Sequence, residues 1–148
     1  MSINCQGKVL SLFISEKASS QRIPLEEIVV DAKGILNDKY YNKDIQRSIL
    51  ITSDSSYAIA QKHNIDIQHG FLGENILISC NPYRLDPGCK LQIGKVILQI
   101  SQNCTICNSL AKVDKKLPTI LKEDRGIFAR VIKAGTIHQG DTVQVVPD

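Results

Sequence analysis

The sequence of 148 residues has no tryptophan, three phenylalanines and four tyrosines. Such a chain has little material for the aromatic stacking surfaces that bind single-stranded nucleic acid. Its net charge of +3 is too small to indicate nucleic-acid binding on its own. No apolar run approaches the roughly 20 residues of a transmembrane helix, and the first residues lack the features of a secretory signal. The sequence therefore predicts a cytoplasmic protein whose partners include neither nucleic acid nor a membrane.

The motifs of several enzyme classes are also missing. The chain contains no G-x-x-x-x-G-K-[ST], G-x-G-x-x-G, H-E-x-x-H or G-x-S-x-G. P-loop, dinucleotide-binding, zincin and α/β-hydrolase functions therefore have no local support. With 43% hydrophobic and 22% charged residues, the composition predicts one globular domain over residues 1–148.

The five cysteines are odd in number and follow no disulfide framework, so we expect reduced thiols. Cys104 and Cys107 form a C-x-x-C pair. A zinc site would need two further ligands, and the other cysteines form no second pair. A thioredoxin-like redox pair would need a βαβ context. Two other interpretations stand beside these: a thiolate that acts as nucleophile, sulfur carrier or soft-metal ligand, and two buried apolar cysteines.

Short segments rich in valine and isoleucine recur along the chain, with glycine and proline between them, and predict a small β-barrel or sandwich. Gly94 lies in a predicted very tight turn between two of these strands. Ser53 or Asp54 can cap a helix over Ser55–Lys62, and a second short helix is predicted over Cys107–Val113. The predicted strands are Lys8–Ile14, Ile23–Val30, Ser48–Thr52, Asn75–Ser79, Cys89–Ile93, Lys95–Ser101, Ile127–Ile132 and Thr142–Val146.

Two further features suit a ligand site. Gly70 and Gly73 permit close approach of the backbone to a ligand, and Asn75 offers a donor and an acceptor. A plain turn into the next strand is the alternative. Arg47 could present its guanidinium to an anion or make a surface ion pair. Residues 104–133 carry seven cations and three acids, which fits a small-anion site or a solvated face.

Taken in order, these segments resemble the MOSC domain family, named for the C-terminal domain of molybdenum cofactor sulfurase. The resemblance covers nearly the whole chain. Each matching motif is weak by itself, but their combination in this order is specific to the family. The matching pieces are Gly7, Gly34 with Asp38, Arg47, Gly70 to Ile76, Leu85 to Gly94, Cys107 thirteen residues after Gly94, and Gly135 to Asp141.

The resemblance implies a mainly β fold, a small MOSC-type β-barrel with one or two short helices, and the molybdenum cofactor (molybdopterin) as ligand. In the family the cysteine matched by Cys107 is proposed to carry sulfur or to ligate molybdenum, and Cys104 stands beside it as a second candidate catalytic residue. The cofactor-binding candidates that follow from the resemblance are Asn75, Thr105, Arg47, Glu74, Gly73 and Arg130.

The chain departs from larger relatives in lacking a pyridoxal-phosphate desulfurase domain, so a cysteine desulfurase or a molybdoenzyme would act in trans. Ile106 replaces the common proline before the cysteine. The expected function is a molybdenum cofactor-binding or sulfur-carrier protein in cofactor sulfuration, delivery or molybdenum-dependent reduction of N-hydroxylated compounds. It would act as a sulfurtransferase-type enzyme or a reductase component. The alternatives are a non-catalytic β-barrel adaptor and a zinc-stabilised domain with incidental thiols.

Overall fold

The computed structural model describes residues 5–16, 22–104 and 114–147. Within these ranges the chain forms two helices, α1 (Asp54–Lys62) and α2 (Leu117–Ile120), and a short 3₁₀ helix at Ile45–Arg47. The same ranges contain the strands β1 (Gly7–Ile14), β2 (Ile23–Leu25), β3 (Glu27–Asp31), β4 (Gly34–Ile35), β5 (Ile49–Ser53), β6 (Ile76–Ile78), β7 (Lys90–Ile93), β8 (Val96–Asn103), β9 (Ile127–Lys133), β10 (Gly135–His138) and β11 (Thr142–Val145).

Seven strands close into a barrel in the order β1, β11, β7, β8, β9, β5 and β6, with β6 pairing back to β1. β5 and β6 are parallel, and the other neighbours in the ring are antiparallel. β2 extends the sheet beside β1, while β10, β3 and β4 form a separate three-stranded sheet. The predicted mainly β fold with a small barrel is therefore confirmed.

The alternation of side chains along the strands places the core inside this barrel. In β8, Val96, Leu98 and Ile100 are buried while the residues between them are partly exposed. This is the period-two pattern of a strand with one apolar face. The predicted turn is confirmed, since Ile93 pairs with Val96 and Gly94 adopts a φ of +60°.

Helix α1 confirms the predicted helix. The Ser53 hydroxyl accepts a hydrogen bond from the Ser55 backbone N–H at 3.1 Å, as one of the two predicted caps would. The buried face of α1, with Tyr57 and Ala60, packs in a second apolar cluster that includes Leu72 and Leu117. The helix predicted over Cys107–Val113 lies outside the described residues. No helix in the described ranges is long and apolar enough to cross a membrane.

The expectation of reduced thiols throughout is wrong, because Cys5 and Cys80 form a disulfide. They are 75 residues apart in sequence, yet their Cα atoms are 5.4 Å apart. The antiparallel pairing of β1 with β6 explains this, since Val9 lies opposite Ile78 and the cysteines continue the two strands beyond that pair. Rules based on cysteine spacing miss a bridge that sheet register creates.

Candidate functional site

A cleft of about 580 Å³ opens at one end of the barrel. Its walls come from segments far apart in sequence: the start of β5, the loop before β6, the end of β8 and the start of β9. The segment between β4 and the 3₁₀ helix adds Tyr40 and Lys43 to the lining, and Arg22 precedes β2. The cleft therefore exists only when the barrel is closed.

The cleft is cationic. Arg22, Lys43, Arg47 and Arg125 line it, and Asp44 is the one acid among the described lining residues. The Arg125 side chain donates from Nη1 to the Leu72 carbonyl at 2.7 Å. Buried polar atoms are normally hydrogen-bonded, but neither Nη1 of Arg22 nor Nε of Arg125 has a partner among the described residues. An anion with several acceptor oxygens would supply the missing bonds.

Arg47 is fixed at the edge of this cleft by a local structure. The Asp44 carboxylate caps the 3₁₀ helix by accepting from the Gln46 N–H at 3.1 Å. The guanidinium of Arg47 then lies over the Phe128 ring, 4.7 Å from its centroid. A cation over an aromatic ring is attracted by the ring's electron-rich face, so Phe128 helps to hold the positive charge of Arg47 at the cleft.

Gly73 and Asn75 belong to the loop between α1 and β6, and both line the cleft. Gly73 has a φ of +89°, and a Cβ added there would lie 3.3 Å from Nη2 of Arg22. The Asn75 amide accepts from the Leu50 N–H at 3.0 Å and donates to the Phe13 carbonyl at 3.2 Å. Asn75 therefore ties β5 to β1 with both ends of its side chain.

Glu74 points away from the cleft and is fully buried. Its Oε2 accepts from the Thr52 hydroxyl at 2.8 Å and from the Tyr57 hydroxyl at 2.5 Å. Desolvation, followed by the negative charge of Glu74, raises the pKa of Tyr57 far above its usual value. Tyr57 is thus a neutral donor to Glu74, and the carboxylate contributes to the structure behind the cleft wall.

Cys104 is the part of the cysteine pair that the structure describes. It follows β8 directly, lines the cleft, and its N–H donates to the Gly126 carbonyl at 3.0 Å. A Cβ added to Gly126 would lie 2.9 Å from a Leu50 methyl group, so this corner is tightly packed. Thr105 and Cys107 lie outside the described residues. The described part of the chain holds no cluster of three or more His, Cys, Asp or Glu suited to a metal ion.

Arg130 is not brought to the cleft with the other candidates. Its Nε donates to the Gln99 side-chain oxygen at 2.9 Å, across the pairing of β9 with β8. Conversely, sequence reasoning missed Arg22, Tyr40 and Lys43 as lining residues. They belong to no motif, and only the closure of the barrel brings them to the site.

Comparison with known proteins identifies the family. The sequence profile of the MOSC domain matches residues 38–144. The fold is similar to the YuaD protein from Bacillus subtilis, with a TM-score of 0.81, 19% identity and 98% coverage of both chains. YiiM from Geobacillus stearothermophilus has a TM-score of 0.76 at 17% identity, over 95% of this chain and 75% of that one. At such identities the likeness shows the fold alone. No curated protein matches the chain.

Proposed function

The chain belongs to the MOSC domain family, and from this premise we propose that its cleft binds the molybdenum cofactor, with Cys107 as the residue that carries sulfur or ligates molybdenum. The family is associated with enzymes of this cofactor, a pterin dithiolene that bears a phosphate. When bound, the cofactor would supply molybdenum and its dithiolene sulfur ligands. To bind it, the cleft has to accommodate a planar pterin and an anionic phosphate.

The observation that carries the proposal is the set of cations around the cleft. Arg22 and Arg125 each have a buried nitrogen without a partner among the described residues, so both can donate to a phosphate without first breaking a protein hydrogen bond. Charge-assisted bonds from guanidinium to phosphate are among the stronger polar contacts in proteins. The volume of about 580 Å³ lies in the range of small-molecule sites.

The position of Cys104 supports the role of the cysteine pair. It lines the same cleft as the arginines, and Cys107 follows three residues later in the sequence. Nearby cations favour the thiolate form of cysteine, and a thiolate is a soft ligand that suits a metal already bound by sulfur. Both proposed roles of Cys107 require this form.

In a sulfur-carrier role, Cys104 would be the thiolate that releases the sulfur from Cys107. If Cys107 carries a persulfide, the Cys104 thiolate can attack the Cys107 sulfur atom and expel the outer sulfur as HS⁻. The two cysteines are then joined as a disulfide, which a thiol reductant must reduce before the next cycle. In this role a pyridoxal phosphate-dependent cysteine desulfurase would load Cys107 in trans.

The test is an anaerobic titration of the reduced protein with molybdenum cofactor, followed by gel filtration and metal analysis. We expect stoichiometric molybdenum in the wild type and in Cys104→Ser, and none in Cys107→Ser. Cys89→Ser is the matched control, because Cys89 does not line the cleft. Absence of retained molybdenum in the wild type would refute cofactor binding. Transfer of labelled sulfur from a cysteine desulfurase to Cys107 would then test the carrier role alone.

A further inference from the structure

We propose that Tyr57 and Glu74 are positioning residues: buried behind the cleft, they hold the wall at Leu72 and Gly73 and, through it, the guanidinium of Arg125 in the arrangement that binds an anion. The inference rests on the proposed function only in assuming that the cleft takes an anionic ligand. Neither residue lines the cleft, so neither is a catalytic residue.

The Tyr57 hydroxyl is the centre of this arrangement. It accepts from the backbone N–H groups of Gly70 at 3.1 Å and Leu72 at 3.4 Å, and it donates to Oε2 of Glu74. One hydroxyl therefore binds three points of the loop that precedes β6. Thr52 of β5 adds a second donor to the same carboxylate oxygen, which ties the loop to the barrel.

The peptide groups on either side of the Leu72 Cα connect this buried network to the cleft. The Leu72 N–H faces the Tyr57 hydroxyl, and the Leu72 carbonyl accepts from Nη1 of Arg125 at 2.7 Å. Arg125 is 8% exposed, and among the described residues that carbonyl is the hydrogen-bond partner of its side chain. A shift of the Leu72 backbone would therefore move or release the guanidinium.

Tyr83 provides a matched control within the same region. It is also buried, and its hydroxyl accepts from the Ser53 N–H at 2.7 Å and pairs with the Ser56 hydroxyl at 2.7 Å. Desolvation raises the pKa of both tyrosines. Among the described residues, the Tyr83 hydroxyl makes no hydrogen bond to the loop at Gly70 to Gly73. Its partner Ser56 donates to the Asp124 carbonyl beside Arg125, and Tyr83→Phe leaves that bond in place. Removing either hydroxyl costs stability, but only Tyr57 should affect the anion.

The experiment is a nuclear magnetic resonance titration with inorganic phosphate, which follows the Gly73 amide and the Arg125 Nε–H, together with amide hydrogen exchange. For Tyr57→Phe we expect about tenfold weaker phosphate binding and about tenfold faster exchange at Gly70 and Leu72. For Tyr83→Phe we expect phosphate binding within about twofold of wild type.

Variants of Glu74 separate positioning from general destabilisation. Glu74→Gln keeps an acceptor for Tyr57 and Thr52 and should bind phosphate nearly as the wild type does. Glu74→Ala removes the acceptor and should resemble Tyr57→Phe. Equal losses in Tyr57→Phe and Tyr83→Phe would overturn the proposal, as would unchanged phosphate affinity in Tyr57→Phe or no saturable shift in the wild type. A wild type that binds phosphate but retains no molybdenum cofactor would refute cofactor binding in the cleft and leave this inference standing.

Discussion

Two regions of the barrel differ in whether their polar groups are hydrogen-bonded. At the seam, which we define as Cys5–Lys8 against Ile78–Cys80, Lys8 and Ser79 exchange hydrogen bonds and the disulfide joins the two segments. In the cleft, nitrogens of Arg22 and Arg125 are buried without partners among the described residues. The polar groups of the seam bond to one another and close the fold, whereas the unpartnered nitrogens of the cleft are the groups that the proposed anionic ligand would bind. Seam variants should therefore lose stability, and cleft variants should lose affinity.

Asn75 lines the cleft, but like the residues of the seam it is hydrogen-bonded to neighbouring strands. Both ends of its amide are hydrogen-bonded to the backbone of neighbouring strands. The segment from Gly70 to Asn75, which the sequence offers as a ligand site, thus builds the cleft wall. Residues outside that motif supply the cations.

The largest expected effect is at the disulfide. Cys5→Ser combined with Cys80→Ser should lower the free energy of unfolding by about 4 kcal/mol, because the bridge closes a loop of about 75 residues in the unfolded chain. Urea unfolding measures this, and wild type in reductant should match the double variant. Phosphate affinity should not change. If reductant has no effect on the wild type, the disulfide contributes nothing to the seam.

Asn75→Ala should cost about 3 kcal/mol, since it leaves the buried Leu50 N–H and Phe13 carbonyl without partners. Urea unfolding gives the value, and Gln102→Ala on the exposed end of β8 serves as a surface control within about 0.5 kcal/mol. A cost below about 1 kcal/mol for Asn75→Ala would show that its hydrogen bonds do not hold the wall.

Alkaline pH should destabilise the region behind the cleft. The fold raises the pKa of Tyr57 and Tyr83, so both remain protonated in the folded state while the unfolded chain ionises them near pH 10. Below pH 10 both tyrosines are protonated in the folded and the unfolded chain, so their contribution to the free energy of unfolding is fully present. Above it, the free energy of unfolding should fall by about 1.4 kcal/mol per pH unit for each tyrosine. Tyr57→Phe and Tyr83→Phe should each flatten this slope, and an unchanged slope would contradict the burial of the hydroxyl concerned.

The smallest expected effect is at Arg22. Arg22→Met should weaken cofactor or phosphate binding about tenfold, or about 1.4 kcal/mol. It should change the free energy of unfolding by less than about 0.5 kcal/mol, because the buried Nη1 has no partner to lose within the part of the chain that the structure describes. Arg130→Met is the control, since that side chain pairs with Gln99 outside the cleft. Equal loss of affinity in both variants would show that arginines lining the cleft have no special part in binding the anion.

Much of the architecture follows from local sequence. The valine- and isoleucine-rich strands, the cap at Ser53 and the turn at Gly94 were all predictable, because side-chain alternation, capping and a positive φ act over a few residues. The Ile23–Val30 segment was harder, since it divides into β2 beside β1 and β3 in the second sheet. Nothing within the segment itself indicates which sheet each half will join.

Local periodicity and the ordered motifs were sufficient to predict a small MOSC-type barrel. The role of the Cys104–Cys107 pair stays a prediction. Tertiary structure alone decided which residues meet. Strand register joined Cys5 to Cys80, and barrel closure brought Arg22, Arg47 and Arg125 to one cleft. Short-range rules describe how a residue shapes its own segment, whereas a site depends on distances between segments. Those distances are fixed only when the sheet closes and its core is packed.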